Sequence, residues 1–215
     1  MYKKKPFFIV FEGIEGCGKS YQSKKLLLNL KKKKIDVLLT REPGGTKTAE
    51  LIRNLILKDY FNTSKKEKFD KYTDTLLYLA SRNEHVKRKI IPSLKLKKVV
   101  ICDRFVDSTL AYQVYGKGIK NNLIKIIHKH ILNGLKPNLT FVLKVLPRSS
   151  KERLLKRKTK NRYDNFPQAF YSRAQKSFLK IAKNKKNYFI LNSSKNDNSL
   201  EKKIFEITCK YLKIK

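Results

Sequence analysis

The chain has no tryptophan, a single methionine and only three cysteines in 215 residues, and it carries 17 acidic side chains against 52 lysines and arginines. Each scarcity narrows the reading. Cys17, Cys102 and Cys209 are too few and too far apart for a disulfide framework or a paired-cysteine zinc site, so a reducing compartment, the cytoplasm, is expected. No stretch approaches the roughly 18 to 20 apolar residues that a membrane span needs. The opening, Met1 to Phe11, has a basic-then-apolar look. Its apolar run, Phe7 to Phe11, is too short for a secretion signal and has no cleavage-site residues after it, so it reads as a first strand. His85, His128 and His130 fit no catalytic or metal-binding pattern, and a spacing of two places the last pair on different helix faces.

The shortage of acids leaves a formal charge of +35. Such a balance ordinarily implies a polyanionic partner. Here, however, the basic residues run through every segment, from Lys3-Lys4-Lys5 through Lys31 to Lys34 and on to Lys215. A nucleic-acid surface concentrates them on one face and interleaves aromatics for stacking. Lysine filling solvent positions is the simpler account, and no nucleic-acid partner is expected. A nucleic-acid-binding ATPase is the remote reading that charge alone motivates.

What is present is an alternation of short β-rich runs with longer segments of helical period, over a length suited to one domain. Strands are expected at 7–11, 36–40, 98–102, 139–145 and 187–191, with helices near 19–31, 46–58, 70–90, 107–115, 121–134, 165–184 and 198–213. Five parallel strands covered on both faces form a doubly wound α/β sheet, whose ligands sit beyond the carboxyl ends of the strands. The stretch 147–164 is too polar to be buried and reads as a mobile, basic connector.

The strongest chemical signal is Gly13-Ile14-Glu15-Gly16-Cys17-Gly18-Lys19-Ser20, which meets every requirement of the phosphate-loop pattern and lies between a strand and a helix. Glycines let backbone N–H groups turn inward around a triphosphate, and the following helix adds the positive end of its dipole. Lys19 is then expected on the β and γ phosphates of ATP, and Ser20 on Mg²⁺. Such a loop implies the phosphate-loop NTPase fold but leaves the acceptor open.

Three further segments bear on the acceptor. Thr40 to Thr46 (TREPGGT) follows the second strand, and its Pro-Gly-Gly turn can leave Arg41 in the strand-end crevice or simply at the surface. In LLYLASR, Tyr78 and Arg82 are four apart on one helix face. The pair suits stacking on and hydrogen bonding to a base, or equally a core tyrosine beside a surface arginine. The strand 99–102 delivers Asp103 and Arg104 to its end, where an acid can order a Mg²⁺ shell and a guanidinium can neutralise phosphate.

Together FEGIEGCGKS, TREPGGT, LLYLASR and DRFVDSTLAYQ resemble the thymidylate kinase family in order and spacing, and the downstream helix FYSRAQKSFLKIA is similar too. The resemblance runs from about Phe7 to about Leu191. It implies transfer of the γ-phosphoryl group of ATP to dTMP, with Mg²⁺, and a homodimer formed by helix packing. It also implies roles: Arg41 and Arg53 on the dTMP phosphate with Arg104 close by, and Tyr78 stacked on thymine. Arg82 would meet thymine O4, Thr109 and Gln113 the rest of the base edge, Tyr112 the sugar 2′ position and Glu15 the 3′-hydroxyl.

Two negatively charged phosphates must approach each other in such a reaction, so positioning and charge neutralisation carry the catalysis. The loop residues Glu15, Gly16 and Cys17 are not basic, whereas 153–162 is rich in Arg and Lys. The chain therefore resembles the lid-type, mostly bacterial branch. Arg157 and Arg162 are the candidates to meet the transferred group, ahead of Lys158 and Lys160. The chain departs from the family in having Tyr78 where phenylalanine is common, Cys17 in the loop, and Asn161 where relatives often carry Asp. A deoxynucleoside kinase, or another nucleoside monophosphate kinase, is the alternative; a nucleoside acceptor needs a base, and Glu12 at the end of the first strand is placed to be one.

Overall fold

The computed structural model describes residues 5–57, 69–156, 166–195 and 197–214. Five strands, β1 (Phe7–Glu12), β2 (Val37–Arg41), β3 (Val99–Asp103), β4 (Leu139–Lys144) and β5 (Tyr188–Asn192), form one parallel sheet in the order β2-β3-β1-β4-β5. The β1 strand lies in the middle, its Ile9 in register with Ile101 on one side and Leu139 on the other. The chain passes from β1 to the edge strand β2, returns to β3 beside β1, and then crosses to β4 and β5 on the other side. The order therefore reverses beside β1, and a ligand crevice opens at its carboxyl end.

Both faces of β1 are buried, which explains its unbroken apolar run. Phe7, Ile9 and Phe11 face α1 (Lys19–Lys32), α7 (Gln168–Ala182) and α8 (Ser199–Leu212), packing with Leu26, Leu30, Phe178 and Ile204. Phe8 and Val10 face the other way, toward Phe105 and toward Val86 and Ile90. The last two lie on a long helical segment made of α3 (Lys71–His85), a π-helical stretch Val86–Ile90 and a final Ile91–Lys95. Asp70 starts α3 by accepting from Tyr72 N at 2.7 Å, satisfying one of the N–H groups a helix start leaves unpaired. Between these elements come α2 (Lys47–Leu57), α4 (Val106–Thr109, running on through Leu110–Val114 to Tyr115–Lys117) and α5 (Asn121–Leu132).

The expected polar connector 147–164 is corrected over its first part. Residues Pro147–Leu155 form a helix, α6, whose Ser150 is buried. Proline is pre-set for the first helical turn, and the polar side chains that argued against burial find backbone partners on the phosphate loop. The remainder of that stretch, with Arg157, Lys158, Lys160, Asn161 and Arg162, lies outside the described residues.

Candidate functional site

The strand ends meet in a cleft of about 360 Å³. One wall is the glycine loop between β1 and α1. Gly13 has φ 138°, and a Cβ there would lie 2.6 Å from Leu143 O and 2.8 Å from Cys17 Sγ. Gly16 has φ 69°, and a Cβ would lie 2.6 Å from Ser150 O. Left-handed backbone and close approach together restrict both positions to glycine. The α1 helix begins with no side-chain cap, so its first N–H groups and the positive end of its dipole face the cleft. Lys19 is buried and folds over the loop, Nζ donating to Ile14 O at 2.7 Å. Gly16, Gly18, Lys19 and Ser20 line the cleft, whereas Ile14 faces a separate pocket and Cys17 is buried beneath the loop.

At the floor, the Ser20 hydroxyl donates to Asp103 Oδ2, and Asp103 Oδ1 is buried with no hydrogen-bond partner among the described residues. A hydroxyl and a carboxylate oxygen side by side match the hard oxygen donors that Mg²⁺ takes, with phosphates and water completing the shell. Among the described residues no group of three or more His, Cys, Asp or Glu side chains could hold a metal, so these two oxygens would hold the ion only together with a phosphate ligand.

Arginines also line the cleft. Arg41 is exposed and paired with Glu50 at 3.1 Å. Arg53 reaches back to Pro43 O at 2.7 Å, and burial together with the nearby Arg41 charge pulls its pKa down. Two guanidiniums at one cleft wall favour an anion between them. Arg104 sits at φ 73° just beyond β3 and donates to Gly13 O at 2.9 Å and to Glu15 Oε1 at 2.7 Å. Tyr112 donates to the other oxygen of Glu15 at 2.5 Å, and burial raises its pKa, so it stays a donor. Glu15, Arg104 and Tyr112 thus tie the glycine loop to the segment after β3.

At the inner end lie Tyr78, Arg82, Thr109 and Gln113. Tyr78 is half-buried, but Arg82 is only 3% exposed, so the alternative of a surface arginine does not hold. Its Nε donates to Glu42 at 2.7 Å, Nη1 to Thr109 Oγ1 at 2.7 Å and to His128 Nε2 at 2.8 Å, and Nη2 to Phe105 O at 2.8 Å. One Nη2 hydrogen remains without a partner among the described residues. Burial alone would raise the pKa of Glu42, but Arg82 and His85 outweigh it and hold it below the usual carboxylate range. Burial and the Arg82 charge push His128 down to about 3, so it accepts as the neutral ring.

No local sequence pattern places His85 or His128 here. His85 bridges Thr40 Oγ1 at 2.6 Å and Glu42 Oε1 at 3.1 Å, and the long-range folding that brings these groups together leaves no local pattern. Arg153 was also passed over in favour of Arg157 and Arg162. It lines the cleft from α6, donating to Gly16 O at 3.2 Å and to Ser193 O at 2.7 Å, while Ser150 Oγ donates to Glu15 O at 2.8 Å. A proline followed by helix-forming residues, with Ser150 and Arg153 three apart, was the available signal. Glu12 accepts from Phe105 N at 2.8 Å and from the Ser108 N–H and hydroxyl at 3.2 and 2.6 Å. It opens on the opposite side of the Arg82 layer from the cleft.

A family profile described as Thymidylate kinase matches residues 11–204 of the chain. The chain is 38% identical over 208 residues to the thymidylate kinase of Staphylococcus epidermidis, covering 96% of this chain and 98% of that protein. It is 42% identical over 177 residues to that of a Geobacillus species, covering 81% and 82%. Among solved structures, thymidylate kinase from Ehrlichia chaffeensis matches with a TM-score of 0.73 at 34% identity, over 95% of this chain and 98% of that one.

Proposed function

The chain belongs to the thymidylate kinase family, and we propose from that premise that its cleft phosphorylates dTMP to dTDP with ATP, supplying nucleotide biosynthesis. The observation that carries the reading is that Lys19, Ser20 and Asp103 line one cleft together with Arg41, Arg53 and Arg104 and with Tyr78, Arg82, Thr109 and Gln113. Loop amides and Lys19 hold the ATP phosphates. Mg²⁺ would be held by Ser20 and, partly through water, by Asp103, and would supply charge neutralisation at the phosphates.

The attacking group is already an anionic phosphate oxygen, so no base is needed. Arg41 and Arg53 fix it, and Arg104 offsets charge beside the loop. Tyr78 stacks on thymine, the remaining Arg82 hydrogen meets thymine O4, and Thr109 and Gln113 read the other edge. Tyr112 crowds the sugar 2′ position while Glu15 takes the 3′-hydroxyl. Arg157 and Arg162 of the lid, taken as about 147–164, complete the charge neutralisation and exclude water. The 215 residues act as one domain, in the cytoplasm, as a homodimer; exposed Leu51 and Leu55 on α2, and Tyr72 and Leu76 on α3, support a helix-packed interface.

The test is a nucleotide panel: ATP with dTMP, dUMP, dCMP, dGMP or thymidine, with product formation followed for each. Fastest turnover of dTMP is expected, and preferential turnover of thymidine would reject the reading. A nucleoside acceptor would need a base, and Glu12, the candidate for that role, already has its carboxylate occupied by Phe105 and Ser108.

A further inference from the structure

Behind the Arg82 layer the fold leaves a second concavity. On that face Val86 and Ile90 of the π-helical stretch and Leu132 of α5 pack against β1 and β3, but the outer strands are covered less: Tyr188 is half-buried and Ile190 is 46% exposed. The resulting groove, of about 700 Å³, runs between β1, β4, β5 and α5. Its volume falls in the range of small-molecule sites.

We propose that this groove is a second ligand site, one that takes a small aromatic anion, and that its occupancy is felt at Arg82. The apolar surface comes from Val10 and the ring of Tyr188 on the strands and from Ile124 and Leu132 on α5, which suits a flat hydrocarbon or heteroaromatic body. The rim is cationic: Lys125 and Lys129 on α5, Lys136 and Lys185 around the mouth. In the floor, Thr140 Oγ1 is fully buried and has no hydrogen-bond partner among the described residues. A buried hydroxyl left unpaired costs free energy that a ligand hydrogen bond recovers.

Two carboxylates also face the groove, and they set the ligand chemistry. Burial, with the Asp107 charge second, pushes Glu12 up to about 7, and burial likewise raises Asp107. Burial thus weakens the repulsion that these two acids offer an anion, and four lysines stand at the mouth. The groove therefore combines apolar walls, hydrogen-bonding floor and positive mouth, the set that a ring bearing a phosphate, sulfonate or carboxylate would satisfy.

The link to the cleft is short. His128 lines the groove and accepts from Arg82 Nη1, while Phe105, on the same wall, accepts from Arg82 Nη2 through its carbonyl. Arg82 in turn lines the cleft. A ligand that shifts His128 or the Phe105 turn changes two of the bonds that aim this guanidinium, which is a differential contact of the kind coupling between sites requires.

The probe is 8-anilinonaphthalene-1-sulfonate, titrated by fluorescence into the full chain with ADP and dTMP both saturating. One saturable site is expected. The double variant K125E/K129E should weaken it about tenfold, and the control K202E/K203E, exposed on the distant α8, should leave it within about twofold. With the probe saturating, the KM for dTMP should change by about threefold or more while that for ATP stays put. Failure to saturate, displacement by ADP and dTMP, or equal weakening in both variants would overturn the site. An unmoved KM for dTMP would overturn the coupling. The binding arm does not involve turnover, so it stands or falls separately from the kinase reading.

Discussion

Arg82 lines the cleft and also makes four hydrogen bonds within the protein, so its substitution has two consequences that can be measured apart. Arg82→Ala leaves Glu42 buried without its closest cation, and breaking a buried pair from one side costs about 3–5 kcal/mol. Loss of the guanidinium from the cleft lining should also raise the KM for dTMP more than that for ATP. Urea unfolding and substrate titration on the same variant separate the two, and an unchanged unfolding midpoint would show that the Glu42 pair carries no stability. Glu12 gives a pH-dependent counterpart. Its folded pKa of about 7 stands above the ordinary 4.5, so the native state binds the proton more tightly than the unfolded chain does. The corresponding stability is present below pH 4.5 and is lost as pH rises through 7, a difference of roughly 3 kcal/mol. Glu12→Gln, which keeps an acceptor for the Phe105 and Ser108 N–H groups, should flatten that slope between pH 5.5 and 8.5. A slope equal to that of the unaltered chain would assign the pH dependence elsewhere, Asp107 being the first alternative. The phosphate-loop residues, Arg41, Tyr78, Arg82, Asp103 and Arg104 were legible in the sequence because their chemistry sits in short local motifs. His85 and His128 were not, since each gains its meaning from a partner far along the chain: His128 from Arg82, and His85 from Thr40 and Glu42.

The α6 helix shows the same limit one level up. Strands β1, β3 and β4 were readable because parallel strands buried on both faces give continuous apolar runs, whereas α6 has a single buried residue, Ser150, and therefore no apolar stripe to announce it. Its anchorage is polar. Ser150 holds Glu15 O, and Arg153 joins Gly16 O to the carbonyls of Ser193 and Ser194 beyond β5. Such a helix is a lever on the loop: shifting it moves two carbonyls of the phosphate cradle. Arg153→Ala should lower kcat/KM for ATP by about tenfold to a hundredfold, in line with loss of a charge-assisted contact at a phosphate site. Arg148, on the same helix but 92% exposed and paired only with Glu152, is the matched comparison, and Arg148→Ala should stay within about twofold. Equal losses in the two variants would mean that general positive charge matters here and that the Arg153 geometry does not.

The largest feature legible from composition, the +35 charge, sets a problem for assembly, because two such chains repel each other unless apolar contact outweighs the repulsion. The packed pair α2 and α3 is the surface proposed for that contact. Leu51 and Leu55 are one helical turn apart and 67% and 41% exposed; Tyr72 and Leu76 repeat the spacing at 38% and 51%. Four large apolar side chains left in solvent on two adjoining helices suit the proposed homodimer face. Charge repulsion between the two copies is long-ranged and screened by salt, whereas apolar burial is neither. The dimer should therefore tighten as salt rises from 50 to 300 mM, the opposite of an interface built on ion pairs. Light scattering on the unaltered chain should give about twice the 25.3 kDa chain mass, and Leu51→Glu with Leu76→Glu, which adds four like charges across a two-fold contact, should return the single-chain mass. A double variant that keeps the larger mass would move the interface to another face, and an unaltered chain of single mass at both salt concentrations would remove it.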